Sequence, residues 1–300
     1  MSVSDLLSAP REQTTAVGPG ACPLCLARGR SDSLVSSSKR NLMKCLACSV
    51  TYLDPQPDRH QFSVILAEHY IRDEARLERA FMKTREPVFS SVAAQICKRK
   101  KAGKILDVGC AGGHFLSNYF SPAGWERFGV EPSKFAGARA AEKGITVHEG
   151  ELPTVDLPST FFDVITILDT LSYFRDPRQE LRRLLAALKP GGLLVIEQPL
   201  AATHVWRHAT KLGRFLGGTP MSLLETGQNF LYDMPSLNFL LSKTGFAILE
   251  SEPVPGVKQR QWYRNTLFKA YYLLSRLLWH LSSGREMFGP NFAVVASPAE

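Results

Sequence analysis

The stretch Ile105-Leu106-Asp107-Val108-Gly109-Cys110-Ala111-Gly112-Gly113-His114-Phe115-Leu116 decides the fold. A short apolar run carries one acid, a turn of small residues follows, and a helical pattern then begins. In an open α/β sheet, this is where a strand ends, small residues let a ligand approach the backbone, and N–H groups without helical partners face a crevice. A buried turn in any α/β protein also needs glycine, so the stretch has to be read with its neighbours.

Three neighbours point the same way. Phe128-Gly129-Val130-Glu131 reads as a second strand with a carboxylate at its end, suitably placed to accept hydrogen bonds from ribose hydroxyls. Phe161-Phe162-Asp163-Val164-Ile165-Thr166-Ile167-Leu168 suits a central parallel strand buried on both faces. Leu188-Lys189-Pro190-Gly191-Gly192 breaks a helix just before the apolar strand Leu193-Leu194-Val195-Ile196. Strand and helix patterns alternate from Lys104 to Pro199, which implies a parallel sheet with helices on both faces. A nicotinamide-binding turn begins with glycine directly after its strand, and Asp107 in that region argues against it.

At these residues the chain resembles the class I S-adenosylmethionine (SAM) dependent methyltransferases, well from Gly103 to Pro199 and more loosely beyond. The resemblance implies an α/β, Rossmann-like seven-stranded methyltransferase sheet with helices on both faces, a late antiparallel strand, and SAM as cofactor. It puts Asp107 and Gly109 at the methionine end, with Cys110 and Gly112 in the same turn. It puts Glu131 on the ribose, Gly150-Glu151-Leu152 near the adenine, and Leu168 and Asp169 over the cofactor from the fourth strand.

Two positions depart from the family pattern. Ala111 stands where the middle glycine is usual. At positive φ this costs on the order of 1 kcal/mol, which Gly112 beside it is expected to absorb. Ser172-Tyr173 stands where many relatives have Glu-His, so the simplest general base is missing. Tyr173 and His204 are the catalytic candidates, each also readable as an ordinary packing or surface residue. Asp169-Thr170-Leu171-Ser172 does not match the Asn/Asp-Pro-Pro-aromatic motif of amino-methylating nucleic-acid enzymes.

The N-terminal region carries a different signal. Cys22-Pro-Leu-Cys25 and Cys45-Leu-Ala-Cys48 are two Cys-x-x-Cys knuckles with 19 residues between them, the spacing of a zinc ribbon. Four thiolates leave no open position, so the zinc is expected to be structural. Cys97 and Cys110 read as buried inert thiols.

These signals organise the 300 residues into a flexible leader (1–20), a zinc ribbon (21–57), a helical linker or cap (58–101) and a SAM-dependent methyltransferase domain (102–300). That domain holds a basic aromatic insert over 258–289, and residues 258–285 contain six Lys or Arg and no acid. The insert reads as a lid, a dimer face, or a peripheral contact with an anionic membrane or lipid-linked phosphate; nucleic-acid binding is a further reading, and against it the aromatics look packed rather than arrayed for base stacking. Lys98-Arg99-Lys100-Lys101 is a further basic run, readable as a solvated helix end. Net charge is +8, which permits phosphate-bearing partners without being a nucleic-acid signature.

No secretory pattern precedes the ribbon, and no apolar run reaches the ~18–20 residues of a membrane span. The expected location is cytoplasmic, peripheral to the inner face of the membrane if the insert docks there. The leading expectation is methyl transfer to a small molecule, such as a nucleotide-linked sugar or a surface-glycan or secondary-metabolite intermediate. A zinc-ribbon RNA methyltransferase and a non-catalytic binding scaffold are the alternatives; oligomeric state is not readable.

Overall fold

The computed structural model describes residues 20–37, 40–57, 74–211, 213, 224, 227–258, 262–284 and 287–299. Residues 1–19 of the expected leader and the first part of the expected cap, with Phe62, Ile65 and Leu66, lie outside the described residues.

The N-terminal strands β1 (Ser31–Ser36), β2 (Asn41–Cys45) and β3 (Thr51–Asp54) form an antiparallel meander. Helix α1 (Glu74–Arg99) leads into β4 (Gly103–Val108). Then follow α2 (His114–Tyr119), β5 (Trp125–Glu131), α3 (Lys134–Glu142), β6 (Thr146–Glu149) and β7 (Phe162–Leu168). A 3-10 turn (Leu171–Tyr173), α4 (Pro177–Ala187), β8 (Leu188–Pro199) and α5 (Ala201–Ala209) come next. The chain finishes with β9 (Phe230–Leu231), α6 (Met234–Lys243), β10 (Phe246–Val254), α7 (Trp262–Leu281) and β11 (Asn291–Pro298).

Seven strands form one sheet in the order β10-β11-β8-β7-β4-β5-β6. β8, β7, β4, β5 and β6 run parallel, and β11 is antiparallel to both neighbours, inserted between β10 and β8. This is the Rossmann-like sheet that the resemblance implied. Asp176 caps α4 by accepting from the Gln179 N–H, and Pro177 follows at the first helical position, where its missing N–H is harmless. The helix ends at Ala187, and the Lys-Pro-Gly-Gly segment is already part of β8 rather than a separate break before it.

The period-2 alternation of the strands fills two cores. On one side, Leu106, Ile165, Ile196 and Val294 pack with Cys22, Leu24, Val50 and Tyr52 of the N-terminal module. On the other, Ile105, Val164, Val195 and Val295 pack with Phe89, Val92 and Ile96 of α1. The cysteine-bearing module therefore shares its core with the large sheet. Its own sheet is completed by β9, which pairs antiparallel with β3 through Thr51↔Leu231 and Tyr52↔Phe230. Lys44 adds an ion pair to Asp233 at 3.1 Å.

Ile165 of β7 is fully buried in the core that the large sheet shares with the N-terminal module. Ile165→Ala is expected to destabilise the protein by roughly 2–5 kcal/mol, read by denaturant unfolding.

Candidate functional site

The parallel strands deliver two acids to one edge. Asp107 is the fifth residue of β4 and Glu131 the last of β5, the neighbouring strand, and both are buried. Glu131 is held by the turn after β4. Its Oε2 accepts the Ala111 N–H at 2.8 Å, and its Oε1 accepts the Ser133 N–H at 2.9 Å. Burial raises its pKa, and those two N–H groups oppose the rise. A carboxylate has about four lone-pair sites, so two remain for ligand hydroxyls.

Asp107 Oδ1 accepts the Thr166 hydroxyl at 2.7 Å from β7. Burial pushes the Asp107 carboxyl up to about 7, with Thr166 opposing, Glu131 adding and Arg85 opposing. The charge of Glu131, on the neighbouring strand, further disfavours ionisation of Asp107.

The turn between them is tight. Gly109 and Gly113 have φ +78° and +72°, and a Cβ at Gly109 would lie 2.5 Å from Thr170 Oγ1. Ala111 takes φ +46°, a conformation that disfavours alanine by roughly 1–2 kcal/mol. Gly112 is not among the positive-φ residues and does not absorb this strain as expected. The left-handed turn instead delivers the Ala111 N–H to Glu131. Cys110 gives its N–H to the Val130 carbonyl, and its buried thiol packs beneath Gly129. Burial pushes that thiol well up, so it contributes to the turn as a small apolar residue. Gly150 donates its N–H to the Glu131 carbonyl at 3.0 Å, which brings Glu151 and the buried Leu152 to the end of β6 beside Glu131.

The opposite wall comes from β7 and β8. Leu168 is buried, and Asp169 adopts φ +56°, with its N–H on the Glu197 carbonyl. Sequence reasoning missed Arg85. This buried α1 side chain donates to Asp169 Oδ2 at 2.6 Å and to Glu197 Oε2 at 2.8 Å. Burial alone would lower its pKa, but Asp169 and Glu197 hold it above the ordinary value. Asn291 of β11 donates to the other oxygen of Glu197. An acid inside the apolar strand Leu193–Ile196 and its continuation was the one available signal, and its partner lay far away in sequence.

Tyr173 and His204 fall on different elements. Tyr173 ends the 3-10 turn after β7, and His204 lies half-buried on α5 after β8. Burial and then Asp169 raise the Tyr173 pKa, with Arg85 and a hydrogen bond with Gln228 opposing. The phenol is held protonated, which suits it to donating a hydrogen bond rather than accepting a proton. Gln228 and Asn229 stand where relatives often carry a substrate-facing histidine, and sequence reasoning assigned Asn229 no role of its own. Its side-chain amide donates to the Tyr173 and Phe174 carbonyls, its N–H bonds the Ser172 carbonyl, and its carbonyl accepts from Leu53. It ties the 3-10 turn to the N-terminal module.

The four-cysteine centre forms from two matching knuckles. The residue after each second cysteine, Leu26 or Ser49, has positive φ (65° and 62°). All four Sγ atoms lie within 4.8 Å of one another, with Cys22–Cys48 at 3.8 Å and Cys25–Cys45 at 3.6 Å. Zinc–sulfur bonds of ~2.3 Å in a tetrahedron place sulfurs about 3.8 Å apart, so the donor set fits a structural zinc ion.

A mostly parallel sheet with a glycine-bearing turn and two acids at the carboxyl ends of adjacent strands is the pattern of Rossmann-like proteins that hold a nucleoside cofactor. Residues 76–251 match the methyltransferase-domain family. The chain belongs to that family, the SAM-dependent class I methyltransferases. It is 35% identical over 104 residues to the ubiquinone biosynthesis O-methyltransferase of Haemophilus ducreyi, covering 31% of this chain and 44% of that one. It is 29% identical over 157 residues to the tRNA U34 carboxymethyltransferase of Saccharophagus degradans, covering 49% of this chain and 45% of that one. The chain thus spans less than half the length of these curated relatives. A SAM-dependent methyltransferase from Thermotoga maritima shares the fold with TM-score 0.50 and 17% identity, over 76% of this chain and 97% of that one.

Two measurements probe these arrangements. The folded-state pKa of Asp107 lies above the ordinary carboxylate value, so the folded chain favours the protonated form and loses stability as pH rises towards about 7. Asp107→Asn should flatten that fall by roughly 1 kcal/mol per pH unit between about pH 5 and 6, the window between the ordinary and the folded-state values, in cofactor-free unfolding curves. Cys45→Ser should abolish zinc in elemental analysis and lower the Tm of the large sheet with it, because the two sheets share one core.

Proposed function

We propose that this chain transfers the methyl group of SAM to a small-molecule nucleophile, with a phosphate-bearing acceptor such as a nucleotide-linked sugar or glycan intermediate. The observation that carries this reading is the pair of buried carboxylates, Asp107 and Glu131, at adjacent strand ends around a turn that glycine and left-handed alanine keep tight. When bound, SAM supplies an electrophilic methyl carbon on a good leaving group, so the protein's main task is alignment.

Glu131 would accept the ribose hydroxyls with its remaining lone pairs. Asp107 would face the cationic methionine end, where its ionised form is favoured. Gly150, Glu151 and Leu152 would border the adenine. Asp169, fixed by Arg85, would close the far wall beside Leu168.

On the acceptor side, Tyr173 would orient the substrate by donating its hydroxyl. His204 would take the proton that the nucleophile loses as its bond to the methyl carbon forms and the methyl–sulfur bond breaks. The curated relatives supporting a small acceptor include the ubiquinone-pathway O-methyltransferase named above. The net charge of +8 favours an anionic one.

Calorimetry with SAM, followed by transfer of labelled methyl to a panel of nucleotide sugars, tests this directly. Asp107→Ala and Glu131→Ala should each weaken SAM binding by roughly tenfold or more while the chain remains folded. His204→Ala should lower kcat, and Tyr173→Phe should chiefly raise KM. SAM binding untouched by both carboxylate substitutions would refute the cofactor placement. Methylation of RNA but of no small molecule would refute the acceptor class.

A further inference from the structure

Helix α7 is built inside out. At about 100° per residue, Leu267, Leu273, Leu274, Leu277, Leu278 and Leu281 fall on one outward side, and every one of them is exposed. Leu277 is 54% and Leu281 73% accessible. Trp262, at the start of the helix, is 80% accessible. The opposite side, turned toward the protein, carries half-buried aromatics and Ser275, the buried residue of the helix. Tyr271, at the edge of the stripe away from Lys269 and Arg276, lies 3.1 Å from Thr203 of α5 through its hydroxyl. An ordinary surface helix buries its leucines and shows its polar face. Here the leucines form a contiguous outward stripe of the kind that marks an interaction surface.

Charge says what covers it. Within α7 the charged side chains are Arg264, Lys269 and Arg276, with no acid. Lys269 and Arg276 are exposed along one margin of the stripe. The fold also brings the second basic segment to this margin. Lys98 and Arg99, in the last turn of α1, share with Arg276 a cleft of about 230 Å³. Glu250 and Glu252 also line it, and Glu250 pairs with Arg99. Two copies joined through this face would set cations against cations. An anionic bilayer surface accommodates both the leucines and the positive margin. Among the described residues no helix is long and apolar enough to cross a membrane, so α7 would lie on the surface.

We propose that α7 docks the protein on an anionic phospholipid surface, its leucine stripe entering the headgroup boundary and Lys269, Arg276 and Lys98 meeting lipid phosphates. The contact of Tyr271 with α5 would hold the carboxyl edge of the sheet near that surface. The docking itself does not depend on the methyltransferase reading.

Co-sedimentation of the full chain with vesicles tests it. The chain should bind vesicles of phosphatidylglycerol mixed with phosphatidylcholine and bind phosphatidylcholine alone much more weakly, with salt reducing the difference. Leu277→Ser should lower the partition coefficient roughly five- to tenfold, and Lys269→Glu should lower it roughly fivefold on anionic vesicles. Circular dichroism and light scattering on each variant confirm a folded chain of unchanged size. Three results would overturn the proposal: no partition of the folded chain, partition indifferent to both substitutions, or a dimer that Leu277→Ser dissociates, which would assign the stripe to a second copy.

Discussion

Burying two carboxylates side by side is unfavourable unless each finds hydrogen bonds or opposite charge. Asp107 and Glu131 impose that requirement on the centre of the sheet, and the surrounding structure answers it. Glu131 is satisfied by two backbone N–H groups, one of which, from Ala111, is available only because the turn goes left-handed there. Asp107 is met by Thr166, the one hydroxyl in the central strand β7. A second charged group, Arg85 with Asp169 and Glu197, anchors α1 to the carboxyl ends of β7 and β8. Positive φ at Ala111 and Asp169 stores backbone strain at the ends of the central strands.

The N-terminal module acts on this site through the backbone. Its strand β3 takes β9 as a partner, and Asn229, just before β9, carries hydrogen bonds to the turn that ends in Tyr173. The four-cysteine cluster is therefore only a few bonded steps from the turn that ends in Tyr173. A zinc centre that merely stabilised an appendage would need neither this pairing nor a shared core. Architecture and chemistry are joined at Asn229.

Much of this was legible from local pattern. Residues 103–108, 125–131 and 162–168 show apolar runs with acids at or near their ends, and strands of a parallel sheet must read that way because both faces are covered. The cysteine knuckles were legible because tetrahedral coordination fixes their spacing. Arg85 was not: a cation in a helix usually faces water, and only the fold brings it to Asp169 and Glu197. The two-residue strand β9 carries too few residues to show a period, and its partner lies nearly 180 positions earlier in the chain. The insert disclosed its composition but not the direction of its leucines, which depends on which side of α7 the sheet occupies. The strain at Ala111 was foreseen, while its purpose required the position of Glu131.

The most direct measurement is a crystal structure with S-adenosylhomocysteine. The ribose should lie within hydrogen-bond distance of Glu131, the adenine beside Leu152 and the methionine moiety above Gly109 near Asp107. Density for the ligand at any other place, or a ribose without contact to Glu131, would contradict the central claim.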